Sequence, residues 1–427
     1  MANINNKKST LAANLVAGGF IVHAFIQILA RFSILFFVVN LKLLVLYLFL
    51  LLFVISLLLD NSIISKNKNV AVVFASCISF IYIFSYVYSG FKTPSGIWIC
   101  LITGSIFLVL RRDIQKKCIH WFLNVFALLC FFSLVEFAID ILTGRRIVVA
   151  QVMREVTDGY QIFNETLFNV RRVDNDMPRF QSLTEEPGLL GTLCGMLLFL
   201  THGDRRYQKH FYVFLTSLFL SFSLGGYVIA IFYMFFLRIK NIKIMLGTVV
   251  VFVCMIIYFG AFFQKLIYER LQSDDVDNRT NETFDRQFYQ SLGSGELLLG
   301  KGNINYQAAM EGRNAGGKVW IYHYGIIGFF AVFFSYNYIF VLVRRKGRLS
   351  YDQIIFLLAF WLSFYQRSDI TAPYFLMAFL GVALFDKKVE NTRMALLTNN
   401  ADKYYPQKSK QIDKGKIRLL YKKYARI

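Results

Sequence analysis

FYVFLTSLFLSFSLGGYVIAIFYMFFL, residues 211–237, is either one oversized membrane span or two undersized ones. A helix needs about 20 apolar residues to cross a bilayer. This run has Ser223, Gly225 and Gly226 near its middle, residue types that punctuate helices. The flanking charges decide between the two readings. RRYQK precedes the run at 205–209, RIKNIK follows at 238–243, and RRKGR stands at 344–348 after the next long spans. Loops rich in Lys and Arg stay on the cytoplasmic side. A single pass would leave either RRYQK or RRKGR outside. Two short passes, 211–224 and 226–237, keep both inside. Irregular backbone at membrane depth persists only where it is buried in protein or lines a cavity. The hairpin is therefore expected in the working interior.

Outward from this stretch the same apolar character continues. The 427 residues are 56% apolar and 17% aromatic but only 17% charged. Spans are predicted at 14–38, 41–59, 70–89, 96–110, 119–142, 187–201, 211–224, 226–237, 244–263, 319–342, 352–365 and 373–385. Placing the amino terminus inside puts 30 of the 47 Lys and Arg residues in inner loops and the tail, against 15 in outward loops, with Arg31 and Lys42 inside spans. The expected fold is an all-α polytopic membrane protein of about 12 transmembrane helices, occupying 1–385, with both termini cytoplasmic. The polar start MANINNKK leads on without an obvious small-residue cleavage site, so the first span is expected to stay.

The net charge of +21 could suggest nucleic acid, but its location argues against that. The excess lies in the inner loops and in the basic tail, 386–427, where Lys and Arg face an anionic lipid leaflet. The bilayer, not nucleic acid, is the expected partner. Six cysteines are scattered through apolar segments without paired spacing, and read as small core hydrophobes.

Two outward loops are large, 144–186 and 264–318. Together they hold 15 of the 26 acidic residues and 13 of the 15 outward basic ones. In RFQSLTEEPGLLGTLCG, residues 179–195, Arg179 and the adjacent Glu185 and Glu186 stand directly before Pro187 and an apolar run. Proline suits the first turn of a helix and carboxylates suit its positive end. Two carboxylates beside an arginine nevertheless exceed what a helix start needs. The second loop carries Arg286, LLLGKG at 297–302, then Arg313, Lys318, His323 and Gly325. GLLG at 188–191 echoes GIIG at 325–328, with Gly191 and Gly325 each following an arginine by twelve residues.

Arginines at the outer interface, Arg172, Arg179, Arg286 and Arg313, suit the forked grip on phosphate oxygens. A carboxylate beside them, Glu186 first and Glu185 second, could take a proton from an attacking hydroxyl, with His323 as a rival base. No metal or cofactor is expected. The loops show no ligand cluster, SDDVDN at 273–278 lacks the glycine and terminal glutamate of a calcium loop, and there is no phosphate-binding GxxxxGK[ST] motif.

The order of SLTEEPGLLGT, SFSLGGY, LLLGKG and YGIIGF along a many-span chain resembles the Wzy-type O-antigen and polysaccharide polymerases, which are distantly related to O-antigen ligases. The motifs cover about 180–335 and the topology covers the whole chain. The resemblance implies a GT-C-like architecture with periplasmic loops, in the bacterial inner membrane. It implies a metal-independent glycosyltransferase that elongates an undecaprenyl-diphosphate-linked oligosaccharide, with a chain-length regulator and a flippase as partners. Arg179 and Arg313 match the family's loop arginines, though each following glycine comes one residue later than in the family pattern. The ligases' histidine position is held here by Asn314, so a histidine mechanism is not implied. A flippase of lipid-linked oligosaccharide and an O-antigen ligase are the competing readings.

Overall fold

The computed structural model describes residues 2–28, 41–65, 68–88, 95–144, 148–156, 159–172, 179–184, 186–238, 250, 282–301, 316–344, 349–366 and 372–385. The chain divides into two compact units, Met1–Leu384 and Phe385–Ile427. The basic tail lies outside the described residues, as does the span expected at 244–263 except at residue 250.

The described part of the first unit is mostly helical. Its helices are α1 (Ala2–Ile28), α2 (Leu41–Leu59), α3 (Asn69–Tyr88), α4 (Ser95–Val109), α5 (Arg112–Thr143), α6 (Pro187–Thr201), α7 (Gln208–Leu220), α8 (Leu224–Arg238), α9 (Glu282–Gly293), α10 (Gly317–Arg344), α11 (Tyr351–Gln366) and α12 (Pro373–Leu384). Three segments are long and apolar enough to cross a membrane, Lys7–Ile28, Arg112–Thr143 and Gly317–Val343. Shorter apolar helices, including Pro187–Thr201 and Pro373–Leu384, accompany them. These apolar helices make the chain a membrane protein.

Burial separates the helices into an inside and a rim. From Gly188 to Thr201 every residue of α6 is buried, and so is every residue of α12. A helix apolar on all sides belongs in the centre of a bundle. Around α12 the rings of Phe199, Tyr336, Phe340, Phe356, Phe360 and Phe379 interlock, with Phe360 and Phe379 centred 4.5 Å apart. Each such ring pair contributes about 0.5–1.5 kcal/mol beyond its buried area. In contrast, α2 and α5 show rows of exposed Leu, Ile, Val and Phe, as lipid-facing helices do.

The loop between α5 and α6 departs from an all-helical expectation. Residues 150–172 form an antiparallel meander of β1 (Ala150–Val156), β2 (Gly159–Glu165) and β3 (Val170–Arg172), with Val152 opposite Phe163 and Phe163 opposite Arg172. Its last turn is fastened to α5. The Glu136 carboxylate accepts the amides of Leu167 and Phe168 at 3.2 and 2.9 Å and the Asn169 side chain at 3.2 Å. The Ser133 hydroxyl lies 2.7 Å from that of Ser182 and donates to the Phe168 carbonyl. A charge inside an apolar helix is thus matched by backbone donors that need an acceptor. The stretch between Arg179 and α6 is tied to the same parts, since the Val170 amide donates to the Ser182 carbonyl at 3.0 Å and the Phe180 ring packs on Phe137 of α5.

Candidate functional site

Two compact backbone assemblies carry the polar residues singled out above. The first joins the start of α6 to the turn between α7 and α8. That turn, Ser221–Ser223, falls inside the expected hairpin, so the long apolar run 211–237 is two helices. Gly191 and Gly226 meet there. A Cβ on Gly226 would lie 2.8 Å from the Gly191 carbonyl carbon, and one on Gly191 would lie 2.5 Å from the Ser223 Cβ. Glycine at both points lets α6 and α8 cross backbone to backbone.

Arg179 is built into this crossing. Its Nη2 donates to the Phe222 carbonyl at 3.0 Å and its Nε to the Ser221 carbonyl at 3.4 Å, while the Phe180 amide donates to the Leu220 carbonyl at 3.0 Å. The guanidinium therefore sits on the carbonyl end of α7, where the helix dipole favours a cation. Sequence reading gave Arg179 to substrate phosphate. These bonds make it a brace for the α7–α8 turn. The brace holds strained backbone, since Phe222 has φ 48° and Ser182 φ 51°. A left-handed residue other than glycine costs on the order of 1–3 kcal/mol and persists only where its surroundings over-determine it.

Glu186 follows directly. It is the N-cap residue of α6, extended at φ −145°, ψ 146°, with Pro187 in the first turn as the sequence suggests. Its carbonyl accepts the Leu189 amide and the Thr184 hydroxyl, but its side chain makes no capping hydrogen bond and is exposed. Helix-start chemistry accounts for the backbone of Glu186 and not for its carboxylate. Glu185 and Arg313 lie outside the described residues, and Arg172 is placed as the last residue of β3.

The second assembly joins α9 and the step after it to α10. The rings of Phe284, Phe288 and Tyr322 pack around Leu297. On the polar side Lys318 donates to Asp285 at 3.1 Å and lies 5.5 Å over the Tyr289 ring. Arg286, next to Asp285, is exposed. Lys301 pairs with Glu296 and lies 5.9 Å over the Tyr322 ring.

The backbone of this assembly interlocks more tightly than any side-chain contact requires. α10 is broken at Gly325, which has φ 77° and ψ 169°. A break leaves carbonyls without their intrahelical donors. The Lys301 amide fills one such vacancy, donating to the Tyr322 carbonyl at 2.7 Å. Gly300, at φ 80°, lies against the same turn. A Cβ on Gly300 would come 2.6 Å from the Gly325 nitrogen, and one on Gly325 would come 2.5 Å from the Leu299 carbonyl carbon. LLLGKG and YGIIGF are thus two halves of one backbone joint. His323, the rival base, stands two residues before the break, its ring 5.9 Å from that of Tyr324 and its carbonyl against Gly300.

The echo between GLLG and GIIG does not extend to conformation. Gly191 lies within the continuous helix α6, whereas Gly325 breaks α10. Sequence reading also passed over Glu136, Glu296 and Lys301 as working parts. Their signal was a charge inside or beside an apolar run, which calls for a partner. Among the described residues no group of three or more His, Cys, Asp or Glu is placed to hold a metal ion. No family model, curated protein or solved structure matches the chain.

Proposed function

We propose that the chain polymerises undecaprenyl-diphosphate-linked oligosaccharide repeat units into O-antigen or capsular polysaccharide at the periplasmic face of a bacterial inner membrane. The observation that carries the reading is Glu186: an exposed carboxylate, not used for capping, on the N-cap residue of the buried helix α6. A base held on a rigid central element is positioned to act on a bound hydroxyl.

In this mechanism the free hydroxyl of one lipid-linked repeat attacks the anomeric carbon of the glycan on a second lipid. The new glycosidic C–O bond forms as the bond to the diphosphate breaks. The diphosphate leaves with the bonding electron pair, and Glu186 takes the hydroxyl proton. Arg286 and Arg313, with Arg172, stabilise the charge gathering on the departing diphosphate, while Arg179 braces the turn beside the base. Glu185 and His323 are the alternative bases. The arginines supply the charge neutralisation that a metal ion would otherwise give the departing diphosphate, so the proposed mechanism is metal-independent. The GT-C-like arrangement, the periplasmic side of the two loops and both cytoplasmic termini belong to this proposal, as do a flippase and a chain-length regulator as partners.

Deleting the gene in its host and running surface polysaccharide on a gel tests the function. The expected result is loss of the ladder with one repeat unit still attached. Loss of every repeat would favour a flippase or a ligase, and an unchanged ladder would remove the polymerase reading.

A further inference from the structure

The joint between LLLGKG and α10 places a charge at the membrane boundary. Gly325 breaks α10, so depth follows from the helix beyond it: the 18 residues Ile326–Val343 of the span Gly317–Val343 make roughly 27 Å at about 1.5 Å per residue, close to a hydrocarbon core of about 30 Å. Gly325 and the turn before it, with Tyr322, then sit at the edge of the hydrocarbon. Because the Lys301 amide bonds the Tyr322 carbonyl and Gly300 abuts Gly325, residues 298–301 share that depth. Residues 298–301 therefore lie at the membrane edge.

The surroundings agree with that depth. Tyr289, Leu292, Leu298 and Leu299 are all exposed around the step, Leu298 by 52%. Apolar side chains grouped on the surface of a membrane protein face lipid. Among them stands the ion pair of Lys301 and Glu296, with Lys301 the less exposed partner at 27%. An ionisable side chain at the membrane boundary is costly unless a partner or a ligand needs it. The backbone of Lys301 is fixed by the glycine joint, while its ammonium ends a flexible four-carbon stem. Glu296 is the more exposed partner, at 55%, so a more highly charged anion can reach the same ammonium and displace it.

The geometry points to Lys301 as a binding residue for the diphosphate of a polyisoprenoid lipid, with Glu296 competing for the same ammonium and the exposed leucines bordering the lipid's tail. An anion joined to a long apolar chain is the ligand whose two parts match a cation set in a lipid-facing apolar surface. The choice of lipid rests on the polymerase reading. Lys301 would act on affinity and not on proton transfer.

The test uses the full chain in phosphatidylcholine nanodiscs, with undecaprenyl diphosphate and phosphatidylglycerol as probes and native mass spectrometry as readout. Wild type is expected to prefer undecaprenyl diphosphate. Lys301→Ala should weaken that binding roughly 10- to 100-fold, the scale of a lost charge-assisted hydrogen bond, and Lys301→Arg should retain most of it. Glu296→Gln should tighten binding several-fold, a gain that misfolding cannot produce. Unchanged binding by Lys301→Ala, no gain from Glu296→Gln, or equal affinity for phosphatidylglycerol would overturn the assignment of Lys301 and leave the polymerase reading standing. Failure of wild type to bind undecaprenyl diphosphate at all would overturn both.

Discussion

Glu186→Ala is expected to abolish the polysaccharide ladder while leaving the protein in the membrane at its normal level. The Glu186 side chain does not cap α6, and the buried residues that seat the helix, from Gly188 onward, are untouched. Losing a carboxylate from the positive end of a helix costs about 0.3–1 kcal/mol. Removing a general base lowers the rate by roughly 10²–10⁴-fold, enough to erase polymers that need many successive transfers. Glu186→Gln, which preserves shape, should fail equally. The readout is a surface-polysaccharide gel from a deletion strain complemented with each variant, with membrane abundance followed by immunoblot. A full ladder from Glu186→Ala would leave Glu185 and His323 as the candidates.

The second large effect is on the fold. Gly325→Val should reduce folded protein severely, because two penalties add at one residue. A β-branched side chain at φ 77° is strained, by about 1–3 kcal/mol. Its Cβ would also meet Leu299 and Gly300 backbone atoms at 2.5–2.7 Å, and overpacking of this kind costs about 1–3 kcal/mol more. Neither neighbour can swing away, since both are main chain. Melting in detergent should drop well below wild type. By contrast Gly293→Ala, where an added Cβ meets nothing within 4 Å, should melt close to wild type. If Gly325→Val melted like wild type, the joint between LLLGKG and α10 would be wrong.

Much of the helical framework was legible because apolar runs and their polar interruptions are local. The run expected at 187–201 is α6 residue for residue, and those expected at 352–365 and 373–385 differ from α11 and α12 by a single residue at their ends. The break in 211–237 was legible from charge parity, which uses the whole chain. The first helix begins at Ala2, well before the span expected from 14, because polar residues such as Lys7 and Lys8 do not stop a helix.

Long-range features were the ones missed. The first two strands of the meander carry β-branched and aromatic residues, Val152 and Val156 in β1 and Tyr160, Ile162 and Phe163 in β2, with Gly159 opening the second strand. Reading the loop for charge passed over that content. Arg179 was recognisable as important, but its bonds go to carbonyls 42 and 43 residues away, which no local pattern encodes. The partnership of Gly300 with Gly325 is of the same kind. Each glycine alone reads as a helix breaker or a turn, and only the close approach of the two backbones shows that both are needed together.

The most direct measurement is reconstitution. Purified full-length chain in proteoliposomes, given its undecaprenyl-diphosphate-linked repeat unit with a chelator present, should convert it to a ladder of longer lipid-linked glycans with release of undecaprenyl diphosphate. Repeat unit that crosses the bilayer without elongating, or elongation only on addition of a divalent metal, would contradict a metal-independent polymerase.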